Sequence, residues 1–138
     1  MKSQSIDSAV RLAQKLEHIF VATADSGGTP HVAAAGELSP VSGDRVAVSA
    51  WFCPGTLANL QNNKEIALVV WDPARDFGFQ LLGVVENIEE LAMLNGFVPE
   101  IEEPAPIPQV ERRLHVRVKK VIGFSHAPHS DIEDQQDG

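Results

Sequence analysis

Trp51-Phe52-Cys53-Pro54-Gly55-Thr56-Leu57-Ala58-Asn59-Leu60-Gln61-Asn62-Asn63 is followed by Ile66-Ala67-Leu68-Val69-Val70-Trp71. After the Asp72–Asp76 turn comes Phe77-Gly78-Phe79-Gln80-Leu81-Leu82-Gly83-Val84-Val85-Glu86. This stretch reads as a strand end, a tight break at Pro54-Gly55, a short helix and two strands. Thr56 to Gln61 has room for no more than two helical turns. Ile66 to Trp71 is almost wholly apolar, the mark of a central strand buried on both sides. Phe77 to Ile88 is the longest strand candidate, with Gly83 as a bulge or sharp bend. A helix opened by Thr56 between strands turns free backbone N–H groups outward. With the positive end of the helix dipole they form a site for a phosphate. Taken alone, a Thr N-cap is more often the ordinary start of a connecting helix.

Upstream, residues 5 to 17 read as an amphipathic helix, with Ser5 or Asp7 as N-cap and Ile6, Val10, Ala13 and Leu16 at helical spacing. A strand through Val21 and Thr23 stops at Asp25-Ser26-Gly27-Gly28, a hairpin turn signal. His31 to Leu38 is the returning strand, and its run of small residues calls for something packed closely against it. After the turn at Ser39 to Asp44, Arg45 to Phe52 alternates as a third strand.

Downstream, Glu89 to Asn95 reads as a short helix ended by Gly96, and the proline-rich Pro99 to Pro108 as an exposed loop. A last strand lies within Val110 to Phe124, where Leu114, Val116 and Val118 alternate with His115, Arg117 and Lys119. The polar segment from His126 reads as a frayed tail. The sum is a mainly β fold: six strands in a small barrel, a helix in front and short helices at two corners. A single domain spans 1–125, and 126–138 is its acidic tail.

The bulk numbers narrow the functions. With 19 acidic against 11 basic residues the formal charge is −8, which argues against nucleic acid or an anionic membrane as partner. Aromatic residues at 6% are too few for base stacking along a strand. The single Cys53 excludes an intrachain disulfide and a multi-cysteine metal cage. No apolar run approaches a membrane span, so the cytoplasm is the expected location.

The run Ile19-Phe20-Val21-Ala22-Thr23-Ala24-Asp25 with Gly28-Thr29-Pro30-His31-Val32 resembles the opening hairpin of the pyridoxamine-phosphate-oxidase-like, FMN-binding split-barrel family. Thr56-x-x-Asn59-Leu60-x-x-Asn63, the strand to Trp71 and Phe79-Gln80-Leu81-Leu82-Gly83 are similar to its central motif. The likeness covers roughly residues 8 to 90, and it lies in the order and spacing of the pieces. It implies a six-stranded split barrel and a homodimer with FMN at the subunit interface. It also implies a flavin-dependent oxidoreductase of unspecified substrate. By the same resemblance Ser49, Ala50 and Trp51 lie against the isoalloxazine ring. Pro54, Gly55 and Thr56 fall at the phosphate, with Asn59 on the same helix, and Gln80 reaches the polar edge of the flavin.

The chain departs from the oxidases in two places. Pro54-Gly55-Thr56 stands where they carry a Ser-Arg-Lys-like cluster, and His31 to Leu38 offers mostly alanine where Arg and Lys are expected. Losing two or three charge-assisted contacts of about 1.5–3 kcal/mol each weakens FMN binding by decades. Oxidation of vitamin B6 itself is therefore not expected, and Thr56→Lys is expected to strengthen FMN binding. The alternative is a non-catalytic dimeric module that binds another planar cofactor, a deazaflavin or haem, or none.

Other residues carry less. His126-x-x-His129 with Asp131 lacks a third ligand at suitable spacing, so no metal site is assigned. Cys53 is either a thiol activated at a helix N-terminus or, more simply, a small buried hydrophobe. Trp71 suits the core and Trp51 a more open place. The basic run from Arg112 to Lys120 reads as a solvated face. No nucleophile–base pairing stands out, so no catalytic residue is named; a flavin would carry the electron transfer.

Overall fold

Helix α1 (Lys2–Leu16) buries Ile6, Ala9, Val10, Leu12 and Ala13, a stripe at three- and four-residue spacing. The computed structural model describes residues 2–94, 109–129 and 131–133. After α1 come β1 (Ile19–Ala24), β2 (Pro30–Ala35), β3 (Glu37–Pro40), β4 (Arg45–Ala50), α2 (Pro54–Asn62), β5 (Glu65–Asp72), β6 (Phe77–Leu94) and β7 (Gln109–Gly123). The described strands number seven, not six. The stretch from His31 to Leu38 is two strands, because the chain turns a corner at Gly36.

All seven strands join one sheet in the order β2-β1-β5-β6-β7-β4-β3. β2 and β3 stand at its opposite ends, yet only Gly36 separates them in sequence. The sheet must therefore curl until its ends meet, which produces a split barrel. Its interior is filled by Ile19, Val21, Leu38, Val46, Val48, Leu60, Leu68, Val70, Leu81, Leu114, Val116 and Val118, all fully buried.

Glu89 to Leu94 continue β6 as strand rather than forming a helix, and Asn95 lies outside the described residues, as does the proline-rich loop. Pairing decides this: Glu89 faces Arg113 and Glu90 faces Arg112 across the ladder to β7. Within this partly exposed basic run on β7, Arg112, Arg113, Arg117 and Lys119 each carry an acidic partner. Arg45 and Arg117 flank Glu86 at 2.8 and 3.4 Å, Arg113 meets Glu89 at 3.3 Å, and Lys119 meets Glu65 at 2.8 Å.

The other half of the outer face is apolar. Cross-strand pairing sets Ala34, Phe20, Val69, Gln80 and Ile122 in one row, and Val32, Ala22, Ala67, Leu82 and Lys120 in the next. β5 thus has one buried face and one only half-covered, since Ala67, Val69 and Trp71 are partly exposed. The segment beyond β7 is tied down at its start. The His126 backbone N–H donates to Asp76 at 3.0 Å, and the His126 ring stacks on Trp71, whose Nε1 also donates to Asp76.

The bend in β6 comes at Gly83, where the register to β7 shifts. A Cβ there would stand 2.4 Å from the Arg117 carbonyl oxygen, a backbone atom that cannot yield. Gly83→Ala should therefore cost about 2–3 kcal/mol in urea unfolding. Gly36→Ala, whose Cβ would meet only ordinary contact at 3.8 Å, should change stability by less than about 1 kcal/mol. Equal effects would refute the bend.

The hydrogen bond from Arg45, then the charges of Arg45 and Arg117, hold the Glu86 carboxyl below the ordinary glutamate value of 4.5. A depressed folded pKa means this stabilisation is complete above the unfolded value and is lost as pH falls through the folded one. Glu86→Gln should make acid unfolding less steep below the ordinary glutamate range. An unchanged pH profile of stability would count against the ladder.

Candidate cofactor site

α2 begins two residues before Thr56. Cys53 is its N-cap and Pro54 occupies the first turn, a position suited to proline's missing N–H and fixed φ. Cys53 makes no side-chain capping bond and is exposed, so the buried-hydrophobe reading of this thiol is corrected. The first intrahelical bond runs from the Leu57 N–H to the Cys53 carbonyl at 3.2 Å. The N–H groups of Gly55 and Thr56 precede it and stay free of the helix ladder.

Thr56 is not an N-cap. It sits inside the first turn with none of its surface exposed, and its Oγ1 has no hydrogen-bond partner among the described residues. A lysine there would bury its ammonium, so Thr56→Lys no longer follows as a route to tighter binding. The second orphan is Nδ1 of His31, on β2. The His31 ring covers Gly55: a Cβ at Gly55 would come to 3.4 Å from its Nε2. The unpartnered Thr56 Oγ1 thus shares the turn with two free amides, and the His31 ring turns its Nε2 toward Gly55. These groups fit an oxyanion held by neutral donors and one imidazole, and neither β2 nor α2 carries an Arg or Lys to add charge. His31 was missed in the sequence because nothing there shows β2 passing over α2.

Asn59, the next site residue, faces inward on α2. Its Nδ2 donates to Thr23 Oγ1 at 3.0 Å and ties the helix to β1. Ser49, nearly buried at the end of β4, accepts from Arg113 Nε at 3.3 Å.

Ser49, Ala50 and Trp51 form one wall of a cavity of about 660 Å³. Its other walls are the corner from Ala34 to Leu38, the end of α1 at Ala13, Gln14 and Glu17, and Glu111 on β7. The small residues of β2 therefore border open space rather than a closely packed neighbour. Trp51 is 44% exposed, while Trp71 is half-buried against Phe124 and His126.

Gln80 is not brought to this cavity within one chain. It lies on β6, separated from β4 by β7, in the middle of the apolar outer face.

The resolved pKa shifts belong to the scaffold. The Thr29 N–H holds the Asp25 carboxyl low. Burial pushes Asp72 up, but hydrogen bonds from Arg75 and the Ala74 N–H outweigh it and leave the carboxyl low. The Glu86 bond raises Arg45. Among the described residues no group of three or more His, Cys, Asp or Glu could hold a metal ion, and no helix is long and apolar enough to cross a membrane.

Residues 7–121 match the sequence profile of pyridoxamine 5'-phosphate oxidase. No curated protein matches the chain. Among solved structures, a protein related to general stress protein 26 of B. subtilis (pyridoxinephosphate oxidase family), from Clostridium acetobutylicum, is 16% identical with a TM-score of 0.63. That alignment covers 99% of this chain and 98% of the relative. An FMN-binding protein from Syntrophomonas wolfei subsp. wolfei is 15% identical with a TM-score of 0.62, covering 92% and 90%. An F420 reductase is 19% identical with a TM-score of 0.56, covering 83% and 94%. At such identities the likeness establishes the shared fold.

A buried hydroxyl with no partner costs free energy that an isosteric methyl does not. Thr56→Val should therefore raise the stability of the ligand-free protein by about 1 kcal/mol in denaturant titration. A loss of stability would mean that Oγ1 is hydrogen-bonded in solution.

Proposed function

Because this chain belongs to the pyridoxamine 5'-phosphate oxidase family, we propose that it binds FMN as a homodimer and acts as a flavin-dependent oxidoreductase. The observation that carries this reading is the first turn of α2. The Gly55 and Thr56 amides, with the orphaned Thr56 Oγ1 and the His31 ring over Gly55, make a seat for a terminal phosphate. In this reading Pro54, Gly55 and Thr56 hold the phosphate, and Asn59 braces the helix through Thr23. Ser49, Ala50 and Trp51 wall the ring. Bound FMN supplies electron or hydride transfer; the chain orients the ring and limits water around it.

The apolar outer face supports the dimer. Phe20 and Val32 are 38% and 64% exposed in a single chain, and Gln80 is the lone polar side chain in its five-strand row. Joining two such faces turns each Gln80 toward the flavin of the other subunit. The single free Cys53 supports a cytoplasmic location. The unit that binds is the domain 1–125, with 126–138 as its tail.

A second reading is favoured by the missing Arg and Lys. It is a non-catalytic dimer that holds another planar cofactor, a deazaflavin or haem, or none. The shared fold with an F420 reductase supports the deazaflavin branch.

The test is the visible absorbance of the purified protein after FMN or riboflavin is added and removed by desalting. FMN should be retained at least about tenfold more tightly than riboflavin, which lacks the phosphate. His31→Ala should weaken FMN and leave riboflavin unchanged. Retention of neither moves the conclusion to the second reading, and equal retention of both removes the phosphate from α2.

A further inference from the structure

Past β7 the chain crosses the outer face of the sheet at Trp71, and Glu133 then bridges back to Ile122. Trp71 stands in the row next to that of Val69 and Gln80, opposite Gly78 on β6. No side chain fits at Gly78, since a Cβ there would collide with the Val70 carbonyl and with Trp71 itself. The sheet therefore leaves the indole uncovered on that side, and the segment after β7 covers it instead. The Phe124 ring meets the indole edge-on, with centroids 6.0 Å apart, and the His126 ring lies nearly parallel to it at 5.6 Å. One carboxylate fastens both parts: Asp76 accepts from Trp71 Nε1 at 3.1 Å and from the His126 backbone N–H at 3.0 Å.

We propose that residues 124–129 form a strap that competes with the second subunit for the Trp71 end of the outer face. The proposal rests on the dimer reading above and adds its regulation. Two sheets that pack face to face lie about 10 Å apart, and their side chains fill the space between. An imidazole laid over an indole puts a second layer of ring where the partner's side chains would go. Because the Trp71 row adjoins the Gln80 row, a subunit that covers Gln80 reaches Trp71 as well. With the strap closed, the open apolar face ends at Phe20 and Val69. With the strap lifted, the indole joins it, a ring of the kind that carries much of the energy at interfaces.

The strap is built to open. His126 to His129 are all exposed, and Phe124 is 37% exposed. A segment fastened by a ring stack and a surface carboxylate, with no side chain in the core, opens locally without unfolding the domain. While closed, it lowers the fraction of chains competent to pair. That fraction enters twice in the dimer equilibrium, once for each subunit.

The test compares the unaltered full chain with His126→Ala and Asp76→Asn by sedimentation over a range of concentrations. Hydrogen exchange of the residue-126 amide is read in the same samples. Asparagine suits the φ of 49° at position 76, so Asp76→Asn keeps the turn and removes the carboxylate. Both variants should dimerise about tenfold or more tightly than the unaltered chain. In the unaltered chain the His126 amide should be protected when dilute and lose protection as dimer forms. Unchanged or weaker dimerisation of either variant overturns the strap, as does a dimer whose His126 amide stays protected. Both of these outcomes leave the dimer standing. Absence of a dimer in all three proteins at every concentration overturns the dimer and the strap together.

Discussion

The architecture rests on a constraint of connectivity: a single residue, Gly36, joins the two ends of a seven-strand sheet. An open, gently twisted sheet would leave β2 and β3 far apart, because five strands stand between them. Closing that distance forces the curl, and the curl creates the interior that Leu38, Val48, Leu68 and Leu114 fill. It also leaves a gap at the corner itself. There the small residues from Ala33 to Gly36 cannot fill the space between α1 and β4, and the cavity follows.

β6 adapts to this closure. Its eighteen residues pair with β5 over the first part and with β7 over nearly all of their length. A strand that long cannot serve two curved neighbours while straight. Gly83, pressed against the Arg117 carbonyl, provides the bend, with further register shifts at Val85/Asn87 and Glu90/Ala92. Beyond the bend the ladder becomes ionic, and Glu86, Glu89 and Glu90 are paired with the arginines of β4 and β7. These partly exposed pairs contribute modestly to stability, while register is held by the pleat, because a one-residue slip would turn Leu114, Val116 and Val118 to the outer face.

Charge is therefore distributed unevenly over one small domain. Carboxylates on the ladder are neutralised, Glu17, Glu37 and Glu111 around the corner cavity meet no cation among the described residues, and the start of α2 offers only neutral donors and one imidazole. An overall charge of −8 conceals this division.

Much of this was legible in the sequence because it is local. The alternation of Leu114, Val116 and Val118, the hairpin at Asp25 to Gly28, the apolar run from Ile66 to Trp71 and the bend at Gly83 are periodicities and turn preferences that need no partner to be recognised. The order of these pieces also carried the family. What failed depended on a distant strand. Glu89 to Leu94 has a polar, helix-like composition, and only the opposing arginines of β7 make it a strand. Thr56 resembled a cap until packing against the sheet buried it and Pro54 began the helix first. The pairing of His31 with Gly55, and of Glu17 with Glu37 and Glu111 around one space, joins positions far apart in the chain. Short-range rules of backbone and hydrophobic period wrote the strands into the chain. Which side chains share a pocket, and which charges go unpaired, was settled by the curl of the sheet, since it alone sets distances between residues that are remote in sequence.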